Sequence, residues 1–395
     1  MAGGGATPLN RVSTASLPYY FTTNQVVEYG STRYLFYINF VGDIVYVKST
    51  DRGRSWGTPV TVHAANVARF SVWFDRWTPG DAGTVIHIWD IETGVDDVNY
   101  FSLDVSSDTL GNGGVGIVVF AGASVSPTGM QISGSKARGG NLLVVFNLDG
   151  GTEVGSYRST DSGATWGVRA DANEAAIDFY SLFPGNAADN QDMWLVYWDV
   201  SANEISLKTY DDSADSWSEA SISTGMAEAG QTTVWSQMAG AVRASDNHLL
   251  LAAWNAYDSA TGDLTTWDIN GSGSITAKTD VVSNSADCIL AALSIAADEK
   301  IYCTYAGKSD GSQTAATELG IYQKMSSDGM ATWGSEKVIY SDHLGPVVVL
   351  MAAQQCEGSW PLIVWLNDMA GGGAEGYLIA AYQSAHARAS SQIGV

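Results

Sequence analysis

The chain has little of what staples or charges a fold. Its three cysteines, Cys288, Cys303 and Cys356, are odd in number and far apart, which excludes a disulfide framework and any metal-ligand spacing. Cys288 and Cys303 lie in apolar runs and read as small buried hydrophobes. Basic residues are scarce: 19 Lys and Arg stand against 42 Asp and Glu, a formal net charge of −23. A field of that sign repels phosphate backbones and anionic lipid, and no local Lys/Arg cluster reverses it, so nucleic acid is not an expected partner. No apolar run approaches the roughly 18 residues that would cross a membrane as a helix, so no membrane insertion is expected. The first sixteen residues, MAGGGATPLNRVSTAS, lack the basic start and the apolar stretch of about 7 to 15 residues of a secretory signal. Amphipathic helical periodicity is missing too. With charged residues at only 15%, the surface must be largely Ser, Thr, Asn, Gly and Asp, a composition for short strands and tight turns.

What is present is a repeat. STDRGRSW at 49–56 and STDSGATW at 159–166 both read Ser-x-Asp-x-Gly-x-Ser/Thr-Trp: Ser49, Asp51, Gly53 and Trp56, then Ser159, Asp161, Gly163 and Trp166. SSDGMATW (326–333) keeps Ser326, Asp328 and Trp333 with the glycine one place late, and YDDSADSW (210–217) keeps Asp212 and Trp217. Weaker echoes hold Asp104 and Asp268. A period in the fifties suits a four-stranded propeller blade. In each turn an Asp can accept backbone N–H bonds, Gly supplies positive φ, and Trp covers the hairpin. The expected role of these residues is structural.

Between the motifs the chain repeats a sentence of strands. A strand rich in small residues (GMQISGSKA, SQMAGAVRA, PVVVLMAA) precedes one ending in an aromatic and a polar residue (TVIHIWD, MWLVYWD, LLLAAWN), and an alternating strand then leads into the motif. The small residues suit the crowded innermost position. Ranked from inside to outside, four strands per unit emerge, with the motif between the third and fourth.

These motifs resemble the Asp-box, or BNR, repeat of sialidase-like β-propellers. The resemblance implies an all-β fold, a single propeller of four-stranded antiparallel blades. Six motifs and the 67 residues after Asp328 imply seven blades, the last completed by the N-terminal stretch TPLNRVST. Six is the alternative, since sialidases are six-bladed. The expected division is residues 1–16 as closure segment, 17–388 as propeller and 389–395 as tail. The resemblance also implies that the motifs occupy the face opposite a substrate pocket.

A sialidase would need three arginines converging on a carboxylate. The chain lacks Arg-Ile-Pro; Arg33 begins a second strand, Arg76, Arg138 and Arg243 fall at first-to-second turns on the motif face, Arg52, Arg54 and Arg169 belong to motif regions, and Arg69 alone falls on the opposite rim. Two carboxylates across the channel would serve another glycosidase, and Asp90, Glu92, Asp96, Asp97, Asp149, Glu153, Asp199, Glu204, Asp258, Asp263, Asp310 and Asp368 all fall on rim loops, too many to single out a pair. DIETGVDD (90–97) lacks the ligand spacing of a calcium loop, and no cofactor or metal is expected. Trp89 with Asp90, Trp198 with Asp199 and Trp254 with Asn255 are the candidate ligand-binding pairs, sugar platforms if they face the channel mouth and interblade packing if they face sideways. The expected function is a non-catalytic structural or binding module in a larger assembly, with protein subunits or glycans as partners. The composition looks like that of bacteriophage head-decoration or tail-associated proteins, which places it in a virion or the cytoplasm. A sialidase-like glycoside hydrolase or glycan receptor-binding protein is the alternative, and no catalytic residue is assigned.

Overall fold

The computed structural model describes residues 6–13, 25–39, 41–123, 131–148, 153–173, 179–185, 190–199, 201–226, 238–255, 263–283, 290–307, 320–340, 347–367 and 375–381. Among these, helical structure is confined to two short 3-10 turns, Asp75–Trp77 and Gly111–Gly114; the strands pair antiparallel with one short parallel exception. The molecule is a β-propeller of four-stranded blades.

The strands fall into seven sheets. The first holds Val26–Tyr29, Thr32–Ile38, Ile44–Ser49 and Val60–His63. The second holds Val67–Phe74, Val85–Glu92, Asp97–Asp104 and Ile117–Ala121, with Thr109–Leu110 added at one end. The third holds Ile132–Lys136, Leu142–Asn147, Val154–Ser159 and Gly167–Asn173, and the fourth Phe179–Pro184, Met193–Asp199, Glu204–Asp211 and Ser216–Thr224. The fifth holds Met238–Arg243, His248–Asn255, Asp263–Ile269 and Ile275–Ala277. In the sixth, Leu290–Ala296, Ile301–Gly307, Gly320–Ser326 and Lys337–Tyr340 are joined by Gln355–Cys356, which pairs in parallel with the innermost strand. The seventh joins both ends of the chain: Ala6–Ser13 pairs antiparallel with Glu375–Ala381, outside Ile363–Asn367 and Val347–Ala352.

Apolar packing runs from each sheet to the next. One core extends through the first five sheets, a second joins the fifth to the sixth and seventh, and a third joins Val26, Leu35 and Val47 of the first sheet to Met351, Leu362 and Val364 of the seventh. The small residues of the innermost strands have a specific purpose. A Cβ on Gly134 would lie 2.3 Å from the Trp89 ring of the preceding sheet, and one on Gly240 would lie 2.4 Å from Phe183. Each glycine leaves the space that its neighbour's aromatic ring fills.

Three of the repeated turns share one hydrogen-bond pattern. Ser49, Ser159 and Ser326 each donate from Oγ to the Asp two residues on, at 2.8 Å in every copy. The same Oγ accepts the backbone N–H of Gly53, Gly163 and Met330 at 2.8, 2.8 and 2.9 Å. Asp51, Asp161 and Asp328 then accept both the backbone N–H and the hydroxyl of Ser55, Thr165 and Thr332. In the third copy the late glycine, Gly329 (φ 69), stands where Arg52 (φ 63) and Ser162 (φ 60) stand, and Met330 takes φ 68 in place of the glycine. Burial of the whole Met330 side chain offsets that strain. Trp56, Trp166, Trp217 and Trp333 are half-buried; Trp217 and Trp333 donate from Nε1 to Ala170 and Thr279 of the preceding sheets.

The echoes shift by one or two residues. In YDDSADSW the turn acceptor is Asp211, which takes the N–H groups of Ser213 and Ala214, whereas Asp212 pairs with Arg158 of the third sheet. This corrects the assignment of Asp212, because the hairpin closes one residue earlier than the alignment implies. In the fifth sheet Asn270 caps the turn and Asp268 binds His248 instead.

Hydrogen bonds from Thr165 and Thr332 hold Asp161 and Asp328 at a pKa of about 2; for Asp51 desolvation is the largest single effect, but the bonds from Ser55, Ser49 and Arg54 together outweigh it and bring the pKa to about 2. A depressed carboxylate contributes its full stabilisation above the unfolded value of 3.8 and loses it as pH falls through about 2. The triple variant Asp51→Asn/Asp161→Asn/Asp328→Asn should therefore melt below the parent at pH 6, with a gap that closes toward pH 2. Calorimetric scans across that range check it, and a gap independent of pH would remove these carboxylates from the acid response.

Candidate functional site

Two-residue alternation decides where each candidate pair points. Trp89 and Trp198 are fully buried and Trp254 is 5% exposed. Trp89 packs on Tyr100 and Trp166, with ring centroids 5.6 and 6.3 Å apart, and Trp254 belongs to the core joining the fifth and sixth sheets. None of the three offers a ring to a ligand. The platform reading is corrected to interblade packing: a residue that faces sideways at the end of a second strand meets the neighbouring sheet, not the channel. Their polar neighbours diverge. Asp199 caps its own turn, accepting from Ser201 Oγ and the Ala202 N–H, and Asn255 lies opposite Asp263 in the ladder, half-buried. Asp90 is fully buried.

Asp90 builds the site that local sequence does not show. His63, at the far end of the first sheet's outermost strand, places Nδ1 2.8 Å from Asp90 Oδ2, and Asn99, directly opposite Asp90 in the ladder, donates to Oδ1 at 3.2 Å. His63 Nε2 lies 3.8 Å from Glu92 Oε2, and the His63 and Glu92 side chains are 20% and 23% exposed. The Phe101 ring flanks the imidazole at 4.8 Å. Burial opposes a charge on His63, but the bond to Asp90 and the charges of Asp90, Glu92 and Asp43 outweigh it and hold its pKa above the ordinary 6.5. The cluster straddles the seam between the first two sheets on the face away from the repeated turns.

This arrangement fixes one imidazole and presents its outer edge with a carboxylate. It can exchange hydrogen bonds with a ligand. Among the other rim carboxylates, Glu204 accepts from Ser206, and burial, together with the charge of Asp263, pushes Asp280, just beyond Ile275–Ala277, up to about 6. Asp149, Asp258, Asp310 and Asp368 lie outside the described residues, as does Cys288. Among the described residues, Arg33 pairs with Glu28, Arg158 with Asp212 and Arg243 with Asp246, each on a different sheet. Among the described residues no group of His, Cys, Asp and Glu has the arrangement to hold a metal.

Sequence reasoning missed His63 because its partner is 27 residues away on another sheet. The acidic run around Asp90 was legible; the histidine that orders it was not.

No protein-family model and no curated protein matches the chain. Solved structures do. A polysaccharide lyase, described as a PL25 ulvan lyase bound to -[GlcA(1-4)Rha3S]-, superposes with a TM-score of 0.56 at 10% identity, covering 94% of this chain and 95% of that one. A second structure of a PL25 ulvan lyase gives 0.53 at 10% identity over 95% and 94%. A Hadza microbial sialidase, Hz136, gives 0.48 at 14% identity over 92% of this chain and 66% of that one. At such identities the likeness is one of fold, and the chain is therefore a β-propeller of the architecture that the two ulvan lyase structures share.

Proposed function

We propose that the protein is a glycan-binding β-propeller in which all seven sheets serve as blades, and that His63, Asp90, Asn99 and Glu92 form its saccharide site. The observation that carries this reading is the partly exposed imidazole locked by a buried carboxylate and set beside a second carboxylate. Such a set of donors and acceptors, fixed before binding, suits sugar hydroxyls. Asp43, Asp90 and Glu92 surround His63 with negative charge, so an uncharged sugar unit fits better than an acidic one. The carbohydrate-active neighbours of the same fold support the ligand class.

The test is a glycan array followed by calorimetric titration. His63→Ala and Glu92→Gln should each weaken binding of the selected neutral glycan at least 10-fold, and wild-type affinity should change as pH rises through the elevated His63 pKa. A screen of glycosides and polysaccharides run beside it expects no turnover; turnover abolished by His63→Ala would replace binding with catalysis.

A subunit role in a larger assembly, a virion included, is a second proposal. Val60, Val118, Val168 and Val338, one on each of four outermost strands, are exposed at the perimeter, where a lateral partner would cover them. Sedimentation velocity of the pure chain with and without candidate partners tests that role.

A further inference from the structure

A chain with a net charge of −23 repels anions unless some concavity is locally positive, and one is. Between the sixth sheet and the loop that joins the innermost and second strands of the seventh lies a groove of ≈ 410 Å³ whose lining includes Lys300, Lys324, Lys337, Gln323, Ser335 and Trp360, with no carboxylate in its wall. Three of the chain's eight lysines meet here. They are not equivalent. Lys324 donates its ammonium to the Val281 carbonyl of the fifth sheet at 2.7 Å, and Lys300 is paired with Asp298 at 2.5 Å. Lys337 has no carboxylate partner among the described residues; its ammonium lies 5.2 Å from the centre of the Trp360 ring. Desolvation pulls its pKa down, as expected of a cation without a counter-ion.

The walls are fixed before any ligand arrives. Trp360 donates from Nε1 to Gln323 at 2.6 Å, Gln323 donates onward to Thr304 at 2.9 Å, and Tyr302 donates to the Ser359 carbonyl at 2.7 Å. The volume falls in the range of about 300–1,000 Å³ typical of small-ligand sites. Its chemistry selects the ligand class. A phosphate-specific site would show arginine forks or a nest of backbone N–H groups. Here one ammonium, that of Lys337, is left without a hydrogen-bonded or ion-paired partner among the described residues and stands beside hydroxyls, an amide and an indole, which suits one carboxylate or sulfate on a ring rich in hydroxyls.

We propose that this groove binds an anionic saccharide unit, a uronate or a sulfated sugar, with Lys337 supplying the charge that holds it. The site is separate from the His63 cluster, and neither proposal depends on the other.

The test titrates the full chain with tetragalacturonate, with a sulfated carrageenan tetrasaccharide and with neutral galactotetraose. At least one of the two anionic ligands should bind, more weakly as salt rises, and Lys337→Glu should reduce that binding at least 10-fold. Lys337→Gln should reduce it less while keeping the parent melting temperature, which separates loss of charge from loss of fold. His63→Ala should leave it unchanged. The relative affinities of the two anionic ligands tell carboxylate from sulfate. The proposal is overturned if neither binds, if galactotetraose binds equally well, if Lys337→Glu has no effect, or if inorganic sulfate competes at concentrations equal to the saccharide.

Discussion

Trp89→Ala is expected to lower the unfolding free energy by about 3–5 kcal/mol, the range for removing a buried Trp. The ring is fully buried and its Nε1 has no hydrogen-bond partner, so the loss is one of packing and cavity with no polar term. Gly134 of the third sheet supplies the converse. A methyl group there lands 2.3 Å from the ring, and Gly134→Ala should cost about 1–3 kcal/mol as overpacking. Because the two changes meet in one space, the double variant should fall short of the sum of the singles. Urea denaturation of the four proteins measures all three terms. A cost below about 1 kcal/mol for Trp89→Ala, or strict additivity, would mean that the ring does not bind the two sheets together. The half-buried turn tryptophans Trp56 and Trp166 should each cost less, since part of their surface is already wet.

Glu28→Ala is expected to be comparably damaging, for an electrostatic reason. The Glu28 carboxylate is fully buried, lies 2.8 Å from Arg33, and accepts the backbone N–H groups of Glu357 and Leu362 at 3.0 and 3.1 Å. It therefore latches the first sheet to the seventh, where the two ends of the chain meet. Burial raises the Glu28 carboxyl, and Arg33 and the two N–H bonds pull it back. Removing it takes the counter-ion from the buried Arg33 guanidinium and leaves the Glu357 and Leu362 N–H groups without their acceptor, a loss of about 3–5 kcal/mol. Replacing both partners with Met should cost much less than Glu28→Ala alone, because nothing charged is left without a partner. Denaturation midpoints check the energies. Hydrogen exchange in Val347–Ala352 checks the place, since a latch that works as described slows opening there.

Much of the fold was legible because it repeats. The Ser-x-Asp-x-Gly pattern encodes its own turn through contacts no more than four residues apart, so it can be read without tertiary knowledge. Where a copy drifts, the aligned Asp no longer marks the acceptor: the turns at Asp212 and Asp268 are capped by Asp211 and Asn270. A hairpin needs only some acceptor near its tip, and which residue serves depends on strand register. The tryptophans show a different limit. Their recurrence at strand ends was plain, yet whether each ring faced the channel or the next blade depended on alternation measured against an axis that no local pattern defines.

The sequence by itself determined the repeat, the all-β architecture, the small innermost strands and the lack of an Arg-Ile-Pro triplet, because each rests on local chemistry or composition. Only the tertiary structure decided that glycines and aromatic rings interlock between neighbouring sheets. It also brought His63 to Asp90 across a seam, paired Glu28 with the far end of the chain, and gathered lysines from separate strands into one groove. The physical reason is that these contacts arise between sheets, where partners are set by closure of the ring and not by separation along the chain.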